Sequence, residues 1–294
     1  MVLASHPFIF EVKMNLRAQM HLECFATKLQ RPTLFIHGNL ASNQWWYPVM
    51  RCLRSTEGSA ALLAEWGGCG WSTKGDFAAE EGMSALARQY AQLLRGFASD
   101  TEFDVVAHST GCLIALHLVI QSPELIRKLV LLDPVSPSGL TLSPDMRAAF
   151  DHMAADRAFC REVMRSTVNP NSLPELFEQY VDSAHRAVDQ LRHWVPDALV
   201  HGGIPVPCER IQHEVLVLHG QDDPILPLED AQRLAQDLPH GRFVLIPECG
   251  HSMNVEDPER FGGILLEFLS SSSTQDSFIR PISSAVRAER DSSP

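Results

Sequence analysis

The chain has 294 residues, 45% of them hydrophobic, and a formal charge of -12. That length and apolar share suffice for a large buried core, one enzyme-sized domain with or without an insertion. The negative balance argues against nucleic acid and acidic membranes as partners. No apolar run reaches the ~18 residues of a membrane-spanning helix, and Met1 to Phe10 lacks the basic-then-apolar pattern of an export signal. Seven cysteines (Cys24, Cys52, Cys69, Cys112, Cys160, Cys208 and Cys249) are scattered, and none are spaced two residues apart as in CxxC. Reduced thiols and a cytoplasmic location are therefore expected. The histidines and cysteines show no metal-ligand spacing, so no metal or cofactor is expected.

In chain order, Phe8–Val12 and Leu16–Cys24 read as an opening antiparallel pair of strands. Thr33–Ile36 is a buried strand that runs into His37-Gly38-Asn39. Trp45–Arg54 reads as a short helix, and Ala60–Glu65 as a strand before the turn Gly67-Gly68-Cys69-Gly70. Glu80–Phe97 carries Met83, Leu86, Ala87, Tyr90, Leu93 and Leu94 at the spacing of an amphipathic helix. It leads to the strand Phe103–Ala107, then a largely apolar helix over Thr110–Gln121 and a strand over Lys128–Leu132. Glu214–Leu218 and Arg242–Ile246 are further strands, and Arg260–Leu269 a closing helix. The alternation of short apolar runs with helical segments predicts an α/β fold with a mainly parallel sheet flanked by helices.

From Leu140 to Pro207 that alternation stops, and helical stretches such as Pro144–Ala155 and Pro174–Val188 follow one another. About seventy residues far exceed the usual connection of about 2–6, so an inserted helical cap is expected over 140–207. The core then comprises 1–139 and 208–270. Residues 271–294 are rich in serine and poor in large apolar side chains, which predicts disorder.

The segment Ala107-His108-Ser109-Thr110-Gly111 joins a predicted strand to a predicted helix. Small residues two before and two after Ser109 permit the sharp turn that lifts a nucleophilic hydroxyl clear of the backbone. A serine hydroxyl needs a base to take its proton and donors to stabilise the oxyanion. Candidates for the base and for an acid to orient it follow further along the chain: His251 and Asp223 each lie just after a predicted strand.

This combination resembles the α/β-hydrolase family of serine hydrolases, whose Gly-x-Ser-x-Gly elbow is written here with Ala107 in place of the first glycine. The resemblance implies a catalytic set of Ser109, Asp223 and His251 in the family's chain order of nucleophile, acid and histidine. Asp223 is favoured over Asp222 by its distance from Gly220, and Asp133 is a rival acid, since some relatives carry the acid after the preceding strand. The oxyanion hole is expected from the backbone N–H groups of Thr110 and Asn39, aided by the helix dipole at Thr110. Trp45 and Trp46 are candidates for pocket lining. His37, His108 and Cys112 read as packed neighbours, His219 as a strand-end residue, and Trp66 and Trp71 as core. Asn39 also invites comparison with the His-Gly-Asn loop of haloalkane dehalogenases, but those need an aspartate nucleophile followed by tryptophan, where this chain has Ser109 and Thr110.

The expected reaction is hydrolysis of a small-molecule carboxylic ester through an acyl-enzyme on Ser109. Hydrolysis of a C–C bond in a vinylogous β-diketone, perhydrolysis and acyl transfer use the same three residues. A non-catalytic ligand-binding protein on the same fold is the alternative from another class.

Overall fold

The computed structural model describes residues 8–13, 19–73, 81–140, 142–169, 173–200 and 206–271. The segment 271–294 expected to be disordered lies, apart from Ser271, outside the described residues. The strands β1 (Phe8–Lys13), β2 (Gln19–Ala26), β3 (Thr33–Ile36), β4 (Ala60–Ala64), β5 (Phe103–His108), β6 (Ile126–Leu132), β7 (Glu214–Gly220) and β8 (Gly241–Ile246) form one eight-stranded sheet in the order β1-β2-β4-β3-β5-β6-β7-β8. β1 with β2 and β2 with β4 pair antiparallel, and every other neighbour is parallel. This is the mainly parallel sheet that the order of apolar runs predicts, in the α/β-hydrolase fold that the resemblance implies.

Alternate residues of the central strands feed two cores, as the two-residue period of a strand requires. Val105, Ala107, Leu129, Leu131, Val215 and Val217 pack on one face with α2 (Gly82–Phe97) and α3 (Thr110–Gln121). Val106, Val130, Leu132, Leu216 and Leu218 pack on the other with α1 (Tyr47–Leu53) and α10 (Pro258–Ser270). Because both faces are covered, these strands read as continuous apolar runs.

Between β6 and β7 the chain forms α4 (Pro144–Ala155), α5 (Arg157–Ser166), α6 (Phe177–Leu191) and α7 (Val195–Val200). Ser143 and Asp156 start α4 and α5 by accepting the N–H groups of Met146 and Ala158. α5 escapes the sequence pattern because its buried side chains, Cys160 and Met164, stand among arginines and a glutamate. α6 begins at Phe177, not Pro174, because the carbonyl of Pro174 is taken up in a turn by the Phe177 N–H. Two aromatic contacts seat these helices on the sheet: Tyr180 stacks on Trp45 at 4.8 Å, and Trp194 meets Trp66 edge-on at 5.9 Å.

The remaining helices, α8 (Leu228–Asp237) between β7 and β8 and the single turn α9 (Met253–Glu256) after β8, complete the βα alternation. Trp66 is fully buried as expected, but Trp71 is 74% exposed. Gly70, at φ +53°, reverses the chain there and turns the Trp71 side chain outward, while the Trp71 N–H bonds inward to Glu65.

Candidate active site

Ser109 stands between β5 and α3 with φ 54° and ψ -122°, a left-handed conformation that a non-glycine residue adopts only under constraint. The constraint is close packing on both sides. A Cβ on Gly111 would come within 2.6 Å of the carbonyl oxygens of both Ile36 and His37, and one on Gly38 within 3.0 Å of the Ser109 Cβ. Ala107, standing where the family carries glycine, is fully buried with its methyl group packed in the core. The strand-to-helix elbow is therefore fixed by small residues on two elements at once.

The ends of β7 and β8 bring Asp223 and His251 to this point. His251 Nε2 lies 3.0 Å from Ser109 Oγ, and His251 Nδ1 lies 2.8 Å from Asp223 Oδ2. Ser109 is half-buried, and the side chains of His251 and Asp223 are 7% and 0% exposed. Asp223 Oδ1 accepts the N–H groups of Ile225 and Leu226 at 2.7 and 3.2 Å, so both carboxylate oxygens are occupied. Burial pushes the Asp223 carboxyl up, but the hydrogen bonds from His251 and the two amides outweigh it and hold the group below its ordinary value. Asp222 is exposed.

Asp133, the rival acid, occupies a different niche. It follows β6 at φ 46°, is fully buried, and accepts the Gly220 N–H at 2.8 Å through Oδ1. Burial first, then the charge of Asp223, pushes its carboxyl well above the usual range. His219, inside β7, lies 3.5 Å from Asp133 Oδ1 and 3.9 Å from Asp223 Oδ2. Asp133, His219 and Asp223 offer ligand atoms within 4.8 Å of one another, as do His108, Asp133 and His251. Asp223 in the first trio and His251 in the second already spend both of their ligand atoms on hydrogen bonds.

On the oxyanion side, Thr110 is the first residue of α3, so its N–H has no acceptor within the helix and sits at the positive end of the dipole. Asn39 follows Gly38, whose backbone abuts Ser109 and His108. His37 is fully buried, stacked on Trp66 at 5.5 Å, with its Nδ1 on the Gly38 carbonyl. Burial drives its pKa down to about 4. Cys112 is buried with its thiol on the Leu132 carbonyl, and burial raises its pKa well above the ordinary value, which removes it as a nucleophile.

The two tryptophans part company. Trp45 is sandwiched between His108 at 6.0 Å and Tyr180 at 4.8 Å, a wall shared by the elbow and α6. Trp46 does not line a pocket: it is fully buried on the other face of the sheet against Phe35 and Phe261. Both lie on a 3₁₀ turn, Asn43–Trp46, where neighbouring side chains diverge by about a third of a turn.

Sequence reasoning missed Glu256. Its carboxylate accepts the N–H groups of Gly250 and Ser252, the residues on either side of His251, at 2.9 and 3.0 Å. The signal was an acidic residue one helical turn beyond the Gly250-His251-Ser252 loop, able to fold back over it. His108, expected as a packed neighbour, is buried and in addition donates from Nε2 to the His251 carbonyl at 2.8 Å.

Comparison with known proteins agrees with this architecture. A model described as "Alpha/beta hydrolase family" matches residues 33–263. The 2-hydroxymuconate semialdehyde hydrolase of Pseudomonas putida is 26% identical over 81% of this chain and 87% of its own. A RutD protein of Agrobacterium fabrum, named for carbamate hydrolysis, is 26% identical over 85% of this chain and 98% of its own. Among solved structures, a thermophilic esterase from Thermogutta terrifontis superposes with a TM-score of 0.72 at 22% identity, over 89% of this chain and 98% of that one. The chain belongs to the alpha/beta hydrolase family.

Proposed function

We propose that this hydrolase cleaves carboxylic esters of small molecules through an acyl-enzyme on Ser109. The observation that carries the reading is the hydrogen-bond chain Ser109 Oγ–His251–Asp223, at 3.0 and 2.8 Å, with the His251 and Asp223 side chains buried. His251 would take the hydroxyl proton as Oγ attacks the acyl carbon, then return it to the leaving alcohol. Asp223 would hold the imidazole in the tautomer with Nδ1 protonated and stabilise the cation that forms. Backbone N–H groups of Thr110 and Asn39 would receive the oxyanion. Water, activated by the same histidine, would release the acid.

An uncharged ester suits the surroundings of Ser109. Gly38 is apolar, Trp45 is aromatic, and burial, together with the nearby His251, lowers the His108 pKa to about 3, so that ring is neutral. A second reading, hydrolysis of a C–C bond beside a carbonyl, draws support from the relative named as a semialdehyde hydrolase. The helices over 140–207 would act as the cap that shapes the pocket, with Trp45 and Tyr180 at its contact with the core. A reducing cytoplasmic setting is supported by the free state of all seven cysteines. No described helix is long and apolar enough to cross a membrane.

The test is kcat/KM for p-nitrophenyl esters of graded chain length beside a vinylogous β-diketone acid, with S109A as control. The ester reading expects turnover of short esters that S109A abolishes. Turnover confined to the diketone would replace it with the second reading, and ester turnover retained by S109A would end both.

A further inference from the structure

His108, read from the sequence only as a packed neighbour, and Glu256 meet at the same three-residue loop. Gly250-His251-Ser252 bridges the end of the sheet and α9, with no regular secondary structure to hold it. Three of its backbone polar groups are instead held by side chains. Glu256 Oε2 takes the Gly250 N–H at 2.9 Å and Oε1 takes the Ser252 N–H at 3.0 Å. His108 Nε2 gives its proton to the His251 carbonyl at 2.8 Å. A carbonyl only accepts, so His108 carries its proton on Nε2 and leaves Nδ1 bare, buried against Gly38.

The grip is tight and reaches beyond the loop. A Cβ on Gly250 would stand 3.1 Å from Glu256 Oε1 and 3.3 Å from the backbone nitrogen of Asn169. The Asn169 N–H bonds to the same carboxylate, and its side-chain amide donates to the Glu248 carbonyl at 3.1 Å. Asn169 belongs to the helical insertion, so one carboxylate joins the base's loop to the helices above it. On the opposite side, His108 is stacked on Trp45, and Trp45 on Tyr180 of α6, a second path to the same insertion.

We propose that Glu256 and His108 are positioning residues that clamp the main chain of His251 from both sides and tie its placement to the helical insertion. Neither side chain touches the reacting atoms. Their effect runs through the position of the imidazole, whose Nε2 must stay within hydrogen-bond reach of Ser109. The proposal rests on the reading of Ser109 as an activated nucleophile.

The experiment is the second-order rate constant for labelling of Ser109 by a fluorophosphonate, which needs no knowledge of the substrate, measured with the melting temperature for wild type, H108L, H108Q, E256A and E256Q. Displacing a catalytic group by about 1 Å costs on the order of 100-fold, so H108L and E256A are expected to label about 10- to 100-fold more slowly while folded. H108Q, which offers an N–H donor to the His251 carbonyl, should recover to within about threefold of wild type on the same scale, and E256Q, with one acceptor oxygen left, should fall between wild type and E256A. A purely structural role would lower the melting temperature and leave the labelling constant of the folded protein unchanged. Wild-type labelling rates in all four variants, or glutamine variants no faster than the truncated ones, would overturn the clamp alone. If a truncated variant does not fold, E256Q at the wild-type rate overturns it. A wild type that does not label at all would overturn the serine-nucleophile reading, and the clamp with it.

Discussion

Replacing Asp223 by asparagine separates what the carboxylate does for the turn from what it does for the base. One oxygen takes the N–H groups of Ile225 and Leu226 and the other faces His251 Nδ1 at 2.8 Å. An asparagine can keep its carbonyl oxygen on the two amides, so the turn survives. Its NH₂ group then points at Nδ1 as a donor. The imidazole is left to accept there and to carry its proton on Nε2, facing Ser109 Oγ, where no base remains. A wrong tautomer of this kind lowers kcat by roughly 10⁴ in a serine triad, which is about 5 kcal/mol of transition-state stabilisation. KM should change little, because no contact with substrate is removed. Initial rates on a short p-nitrophenyl ester near neutral pH, with circular dichroism to show that D223N is folded, measure this. A loss of less than about tenfold would refute the assignment, given the expected scale. If residual activity then vanished in D223N/D133N, Asp133 would be the working acid.

Three further outcomes follow from the packing. Gly111→Ala places a Cβ 2.6 Å from two backbone carbonyls that cannot yield, and overpacking of this kind costs about 1–3 kcal/mol, read as a lower urea midpoint together with lost turnover. Tyr180→Phe removes a buried hydroxyl that has no hydrogen-bond partner among the described residues, so the melting temperature should hold or rise, whereas a drop of several degrees would show that the hydroxyl is bonded. His117, on α3, is buried and its pKa is lowered by burial to about 4, against an ordinary 6.5. Because the folded pKa is the depressed one, the fold binds fewer protons than the unfolded chain between these values. That stability is fully present above pH 6.5 and is lost as pH falls toward and through 4. His117→Leu should flatten the acid limb of urea-derived stability by up to about 3 kcal/mol, and an unchanged slope would mean that the imidazole is not buried neutral.

The sheet was legible because strands covered on both faces, such as Thr33–Ile36 and Glu214–Leu218, leave uninterrupted apolar runs with helices between them. Ser109, Asp223 and His251 were legible because each follows a strand end, where a parallel sheet gathers its loops. What escaped was set by geometry across the chain. Trp71 and Trp46 have the composition of core or pocket, but their direction depends on the φ of Gly70 and on the pitch of a four-residue 3₁₀ turn. The hold of Glu256 and His108 on the His251 loop joins residues up to 143 positions apart, a pairing no local pattern records. The charged surface of α5 hid a helix whose buried side chains are only Cys160 and Met164.

The central claim is that Ser109 forms the covalent bond. Acid-quenching the enzyme milliseconds after mixing with a p-nitrophenyl ester, then weighing the intact protein and its peptides, tests it directly. The expected result is a single acyl mass on the peptide that carries Ser109, formed in step with the burst of nitrophenol and absent in S109A. An acyl group on another residue, or a burst that persists in S109A, would contradict it.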